Sequence, residues 1–183
     1  MIRPAQQSDL NEILTIYDNA RYFMRDNGNG EQWGESHPPL SMLIEDIEIG
    51  QLYVYATTRI VDSGFDYESA CGRYGYSNEI IHGVFAFIIG EDPTYNYIED
   101  GEWLNDEKYG AVHRIASTRK IKGVFGECIN FCKNQITNIR IDTHEKNQIM
   151  QHLLTKHGFK ECGIIYIPDG SPRIAYQWEE ENA

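Results

Sequence analysis

The stretch HRIASTRKIKGVFGECINFCK, residues 113–133, changes character twice along its length. It begins as a short apolar strand, crosses four cations in nine residues (Arg114, Arg119, Lys120 and Lys122), and ends in a glycine-spaced turn into a helix. Those four are a quarter of the 16 Lys and Arg of a chain whose formal net charge is -12. A helix beginning at Gly123 leaves its first backbone N–H groups without intrahelical partners. With the positive end of the helix dipole, they form an anion site. Glycine at 123 and 126 lets a ligand approach the backbone without meeting a β-carbon. Lys120 and Lys122 add mobile charge, as does Arg119. The ligand implied is a phosphate, most usefully a pyrophosphate; an ordinary glycine turn flanked by solvated lysines is the plainer alternative. No GxxxxGK[ST] occurs, and no GxGxxG follows a first strand, so neither a P-loop nor a Rossmann site is present.

Outward from this segment, the apolar period assigns the remaining elements. Residues 2–5 are a short extended entry. Ser8 or Asp9 caps a helix in which Leu10, Ile13, Leu14 and Tyr17 share one face, and DNGNG at 26–30 ends it. Pro38-Pro39 opens a second helix, with Leu40, Leu43, Ile44 and Ile47 repeating the spacing until Gly50. QLYVYATT and EIIHGVFAFIIG read as strands. The glycine- and tyrosine-rich segment between them reads as an extended hairpin loop at about 59–78. A second long loop, 91–110, carries seven acids against one lysine. GAVHRIA is a strand, NIRID another, and 145–157 a helix stopping at Gly158. KECGIIYI and RIAYQW close the chain as strands around PDGSP. The order β-α-α-β-β-β-α-β-α-β-β predicts an α/β fold, a three-layer α/β/α sandwich. Its sheet is mixed and mostly antiparallel, with one parallel βαβ region in the second half.

The 183 residues and 21.1 kDa suit one domain over 1–183 with two long loops. The acidity, pI ≈ 4.8, argues against nucleic acid or anionic membrane as partner, since both need a basic face. Cys71, Cys128, Cys132 and Cys162 form no CxxC pair and show no metal-ligand spacing, so no metal is expected. Cys128 and Cys132, four apart on a helix, read as small core residues of a reducing compartment. MIRPAQQSDL has no apolar signal core and no run of 18 apolar residues occurs, so the expected location is cytoplasmic.

Element order and two motifs together resemble the GNAT N-acetyltransferase superfamily across essentially the whole chain. The family's [Q/R]-x-x-G-x-[G/A] meets KIKGVF, with Lys120 in first position, Gly123 at the key glycine and Phe125 where a small residue is usual. Its second pattern, N-x-x-A-x-x-L-Y-x-K-x-G-F, meets NQIMQHLLTKHGF. Asn147, Leu153, Lys156, Gly158 and Phe159 match; Met150 replaces the small residue and Leu154 the tyrosine.

The resemblance implies acetyl transfer from acetyl-CoA, the acyl donor, to a primary amine of a small molecule, amino acid or polyamine-like acceptor. The cofactor site would comprise Ile115, Ala116, Ser117, Lys120, Lys122, Gly123, Val124, Phe125, Gly126 and Asn147. The pantetheine arm would lie where strands 111–117 and 138–143 splay apart. An amine must be neutral to attack, so a base is useful. His113 shares strand parity with Ile115 and Ser117 and is the first candidate; His144 is the second, and Glu91 and Asp92 follow the strand before the acidic loop. A structural histidine is the alternative for either. Leu154 cannot protonate a departing thiolate as the family's tyrosine does; Tyr166 or Tyr176 would have to substitute. Trp33 and Tyr95, on the two acceptor-side connections, suit a cationic amine through ring and carboxylate contacts, or else anchor their loops. Family members often form dimers, so a homodimer is compatible. The alternative of a different class is a catalytically silent CoA-binding sensor module.

Overall fold

In a computed structural model the chain is described over residues 1–59 and 78–180. The strands are β1 (Ile2–Pro4), β2 (Leu52–Arg59), β3 (Asn78–Ile89), β4 (Gly110–Ser117), β5 (Asn138–Thr143), β6 (Lys160–Tyr166) and β7 (Pro172–Glu179). The helices are α1 (Leu10–Asp26), α2 (Leu40–Glu48), α3 (Val124–Lys133) and α4 (Gln148–Lys156). This is the order that the apolar period predicts. The hairpin loop expected at about 59–78 lies almost wholly outside the described residues, as does Cys71.

The seven strands form one sheet in the order β1-β2-β3-β4-β5-β7-β6. Every neighbouring pair is antiparallel except β4 and β5. Alternate side chains of a strand point to opposite faces, and two cores follow. Phe85, Phe87 and Val112 face α3 and α4, where Val124, Phe125, Cys128, Ile129, Cys132 and Leu154 are buried. Val84, Ala86 and Leu52 face α1 and α2 and bury Ile13, Ile16, Tyr17 and Leu43. Each large side chain so enclosed stabilises by roughly 1.5–3 kcal/mol, enough to hold short helices that would not persist alone.

The α2 stripe departs from its sequence reading. Leu40 is exposed, while Asp46 is buried. The reason is electrostatic: Asp46 reaches across to Arg114 on β4, Nη2 to Oδ2 2.6 Å. Cys128 and Cys132 are core residues as expected, and burial pushes the Cys128 thiol up to about 12.

Candidate active site

Strands β4 and β5 pair only at Gly110–Ile139 and Ala111–Arg140. Beyond Ala111 the edge of β4 facing β5 has no strand partner, and the two diverge. A bulge in β4 accompanies the divergence. Val84 opposes Ala116 and Ala86 opposes His113, so Arg114 and Ile115 together stand against Phe85. Arg114 takes φ +53, a left-handed conformation that costs a non-glycine residue about 1–2 kcal/mol. Two contacts hold it there: Tyr17 Oη donates to the Arg114 carbonyl at 2.8 Å, and the guanidinium donates to Asp46.

The gap opens into a cavity of about 900 Å³. Of the expected cofactor residues, Ile115, Ala116, Ser117, Val124, Phe125 and Asn147 line it. The strand-parity expectation does not carry through the bulge. His113 to Ser117 all reach the cavity, because the extra residue resets the alternation.

Gly123 caps α3 at φ +84, with open space where a β-carbon would stand and no side-chain cap on the first turn. The first-turn amides thus have no side-chain cap among the described residues. Lys120 and Lys122 are exposed beside this turn and are not part of the cavity wall. Gly126 serves a different purpose from the one expected: a β-carbon there would meet His157 Cε1 at 2.8 Å, so its bareness accommodates a ring rather than a ligand. Asn147 caps α4, accepting from the Met150 N–H at 3.2 Å and donating to Gln32 Oε1 at 3.0 Å. Arg119 lays its guanidinium on the Phe23 ring, 3.3 Å from the centroid, at the cavity edge.

His113 lines the cavity, with Nε2 2.8 Å from Asp92 Oδ2 and Nδ1 4.0 Å from Asp142 Oδ1. Burial alone would raise the Asp92 carboxyl. Hydrogen bonds from His113 and from the Thr94 hydroxyl and N–H outweigh it and hold the carboxyl at about 2. An ionised carboxylate only accepts, so His113 Nε2 carries a proton towards Asp92, and Nδ1 is the ring nitrogen turned to Asp142. Asp92 is positioned by the turn it caps, Pro93–Tyr95.

His144 does not join this group. It lies past β5, outside the cavity wall, and its Nδ1 accepts the Lys146 N–H at 3.1 Å. Trp33 lines the cavity and meets Tyr17 edge-on, centroids 5.7 Å apart. Tyr95 is only 2% exposed and is not part of the wall; its hydroxyl donates to Asp142 at 2.9 Å, and its ring stands 5.8 Å from that of His113. It backs the pocket instead of touching what enters, a correction to the sequence reading. Trp103 is an anchor too, donating to the Tyr95 carbonyl at 3.0 Å. No tyrosine lines the cavity among the described residues. Leu154 is in the core, Tyr166 bonds Glu99 on the surface, and Tyr176 is buried with its hydroxyl 3.4 Å from Glu161.

Sequence reasoning missed Asp142 and Arg173 as cavity residues, although Asp142 lies near the carboxyl end of β5 and Arg173 near the start of β7 beside it. Among the described residues no group of three His, Cys, Asp or Glu is arranged to hold a metal, and no helix is long and apolar enough to cross a membrane.

At the level of sequence, no family model and no curated protein matches the chain. Solved structures do. A GNAT-family acetyltransferase from Streptococcus agalactiae is 28% identical, with TM-score 0.79, covering 100% of this chain and 96% of that one. One from Listeria monocytogenes is 19% identical, with TM-score 0.64, covering 98% and 94%. YncA from Salmonella typhimurium, solved with its cofactor acetyl-CoA, is 14% identical, with TM-score 0.55, covering 100% and 95%. A mixed sheet split at its one parallel pair, together with these likenesses, defines an acyltransferase of α/β architecture. The fold is that of the GNAT superfamily, and the likeness to the Streptococcus agalactiae acetyltransferase supports a place in it.

Proposed function

We propose that the protein is an acetyl-CoA-dependent N-acetyltransferase that acetylates a primary amine of a small acceptor, with His113 as the base. The observation that carries this reading is the unpartnered β4 edge beside an uncapped helix mouth, opening on a histidine whose proton is fixed on one nitrogen. The fit to the donor rests on the same features. The α3 amides and Lys120 and Lys122 suit its diphosphate, and main-chain groups of Ile115 to Ser117 suit its amide-bearing arm. The walls from Val124, Phe125, Met150 and Leu153 suit its apolar parts. Acetyl-CoA held there would supply an activated acetyl group, transferred to nitrogen with loss of one proton and release of CoA as thiol.

The chain's own residues do the rest. Asp92 orients the imidazole and keeps Nε2 protonated. Nδ1 takes a proton from the entering ammonium or from nitrogen as the bond forms, directly or through water. Asp142, beside Nδ1 and held by Tyr95, offers the ammonium a carboxylate before it is deprotonated. Trp33 and the 27–39 connection flank the acceptor's entry. No tyrosine on the wall is needed to release CoA, because a thiol with an ordinary pKa of about 8.5 departs tolerably as the anion.

The test is calorimetric titration with CoA, followed by thiol-release assays with acetyl-CoA and a mixed amine library. The reading requires CoA binding and thiol release, with an acetylated amine found by mass spectrometry. CoA binding without turnover of any amine would favour the silent sensor module, for which Leu154 speaks; no CoA binding would remove both.

A further inference from the structure

Arg173, the second residue of β7, is 5% exposed, yet it lines the same cavity as His113. Its hydrogen bonds run to two neutral main-chain carbonyls: Nη1 to Pro172 O at 2.8 Å and Nη2 to Gln32 O at 3.4 Å. Among the described residues no carboxylate lies within 4.0 Å of it. Arg114, a partly buried arginine of the same cavity, is paired with the Asp46 carboxylate, so the contrast is internal to the site. A buried guanidinium with no carboxylate in contact is costly, and burial pulls the Arg173 pKa down, with Asp142 and Asp169 opposing from longer range. Such a cost is relieved when an anion arrives on the open side. The planar fork of arginine suits a carboxylate in two-point contact.

Its position assigns the anion to the acceptor rather than the donor. The diphosphate mouth belongs to α3, which follows β4. Arg173 stands beyond β5, next to Ile174, which pairs with Thr143. It also touches the 27–39 connection through Gln32. Only β5 lies between β7 and β4; the two strand spacings come to roughly 10 Å where strands pair and widen where β4 and β5 diverge, and Arg173 and His113 face the cavity from its two sides. We propose that Arg173 is the acceptor's carboxylate anchor, so that the amine acetylated by this protein also carries a carboxylate, as an amino acid does and a polyamine does not.

This deepens the acetyltransferase reading and rests on it. The test uses matched acceptors, each an acid with its decarboxylated amine: L-phenylalanine with phenethylamine, L-leucine with isopentylamine, L-lysine with cadaverine. In the parent protein, kcat/KM for thiol release should favour the acid by tenfold or more in at least one pair. Arg173→Gln should bring that ratio near one by lowering the acid's value alone, and Arg173→Lys should restore part of it. Calorimetry gives a readout without turnover: with CoA present, N-acetyl-phenylalanine should bind the parent tenfold tighter than N-phenethylacetamide, and R173Q should lose that margin. The CoA Kd of R173Q should stay within twofold of the parent. The anchor is overturned if amines match or exceed their acids, if neither member of any pair is turned over or bound, or if R173Q weakens CoA instead. A parent that binds no CoA sinks the acetyltransferase reading first, and titration with CoA alone distinguishes that failure.

Discussion

Replacing Asp92 with asparagine isolates the group on which the proton arrangement of His113 depends. A carboxyl held at about 2 rather than 3.8 is more stable ionised in the fold than in the unfolded chain. At 1.36 kcal/mol per pH unit, the difference of 1.8 corresponds to about 2.4 kcal/mol. The carboxylate is 16% exposed, and solvent screening reduces this to about 1–2 kcal/mol. The folded-state pKa is depressed, so this contribution is fully present above 3.8 and is lost as pH falls towards about 2. Denaturant titrations at pH 7 should therefore place D92N below the parent by about 1–2 kcal/mol, or about 2–8 °C in Tm for a chain of this size. The gap should narrow between pH 4 and pH 2. In thiol-release assays kcat should fall by about 10²-fold or more, since a neutral amide no longer fixes the proton on Nε2, while the CoA Kd stays within twofold. Equal stability at pH 7, a gap that ignores pH, or undiminished kcat would refute this account of the Asp92–His113 pair.

Gly123→Val forces a β-branched residue into a left-handed position and sets its methyls over the helix mouth; CoA affinity should fall by tenfold or more in calorimetry while circular dichroism stays native. Asp46→Ala strands the Arg114 guanidinium, whose Nε already lacks a partner, and should cost about 3–5 kcal/mol in denaturant unfolding. Because Arg114 sits in the bulge that opens β4, the same variant should also weaken CoA binding.

The succession of strands and helices is legible because each is short, and its apolar period declares its type; Ile13 and Tyr17, or Cys128 and Cys132, could hardly be spaced otherwise. The glycine at 123 is legible for the same local reason, as a strand-to-helix turn. The opening of the site is not local. Whether β5 follows β4 for two residues or six depends on the bulge at Arg114, set by Tyr17 from α1 and Asp46 from α2, and nothing in HRIAS records either contact. The aromatic rings of the acidic loop, Tyr95 first, mislead for a related reason. An aromatic ring beside carboxylates suits a cation equally whether that cation is a ligand or a residue of the chain. Here it is Arg140 of β5, held 4.1 Å from the centroids of Trp103 and Tyr109. Arg173 went unread because a cation opening a strand after a turn is ordinary until its burial is known.

That arginine sandwich has a consequence for the acidic loop. The stretch from Glu91 to Tyr109 looks like a detachable flap, but it is riveted to the back of the sheet. Arg140 is clasped between its rings, and Gln177 and Asn138 bond the Leu104 N–H and the Asn105 side chain. The carboxylate steering the imidazole is thus delivered by a braced strut. Residues that never meet a substrate, Gln177 among them, hold the aim of the proton acceptor from the far side of the molecule.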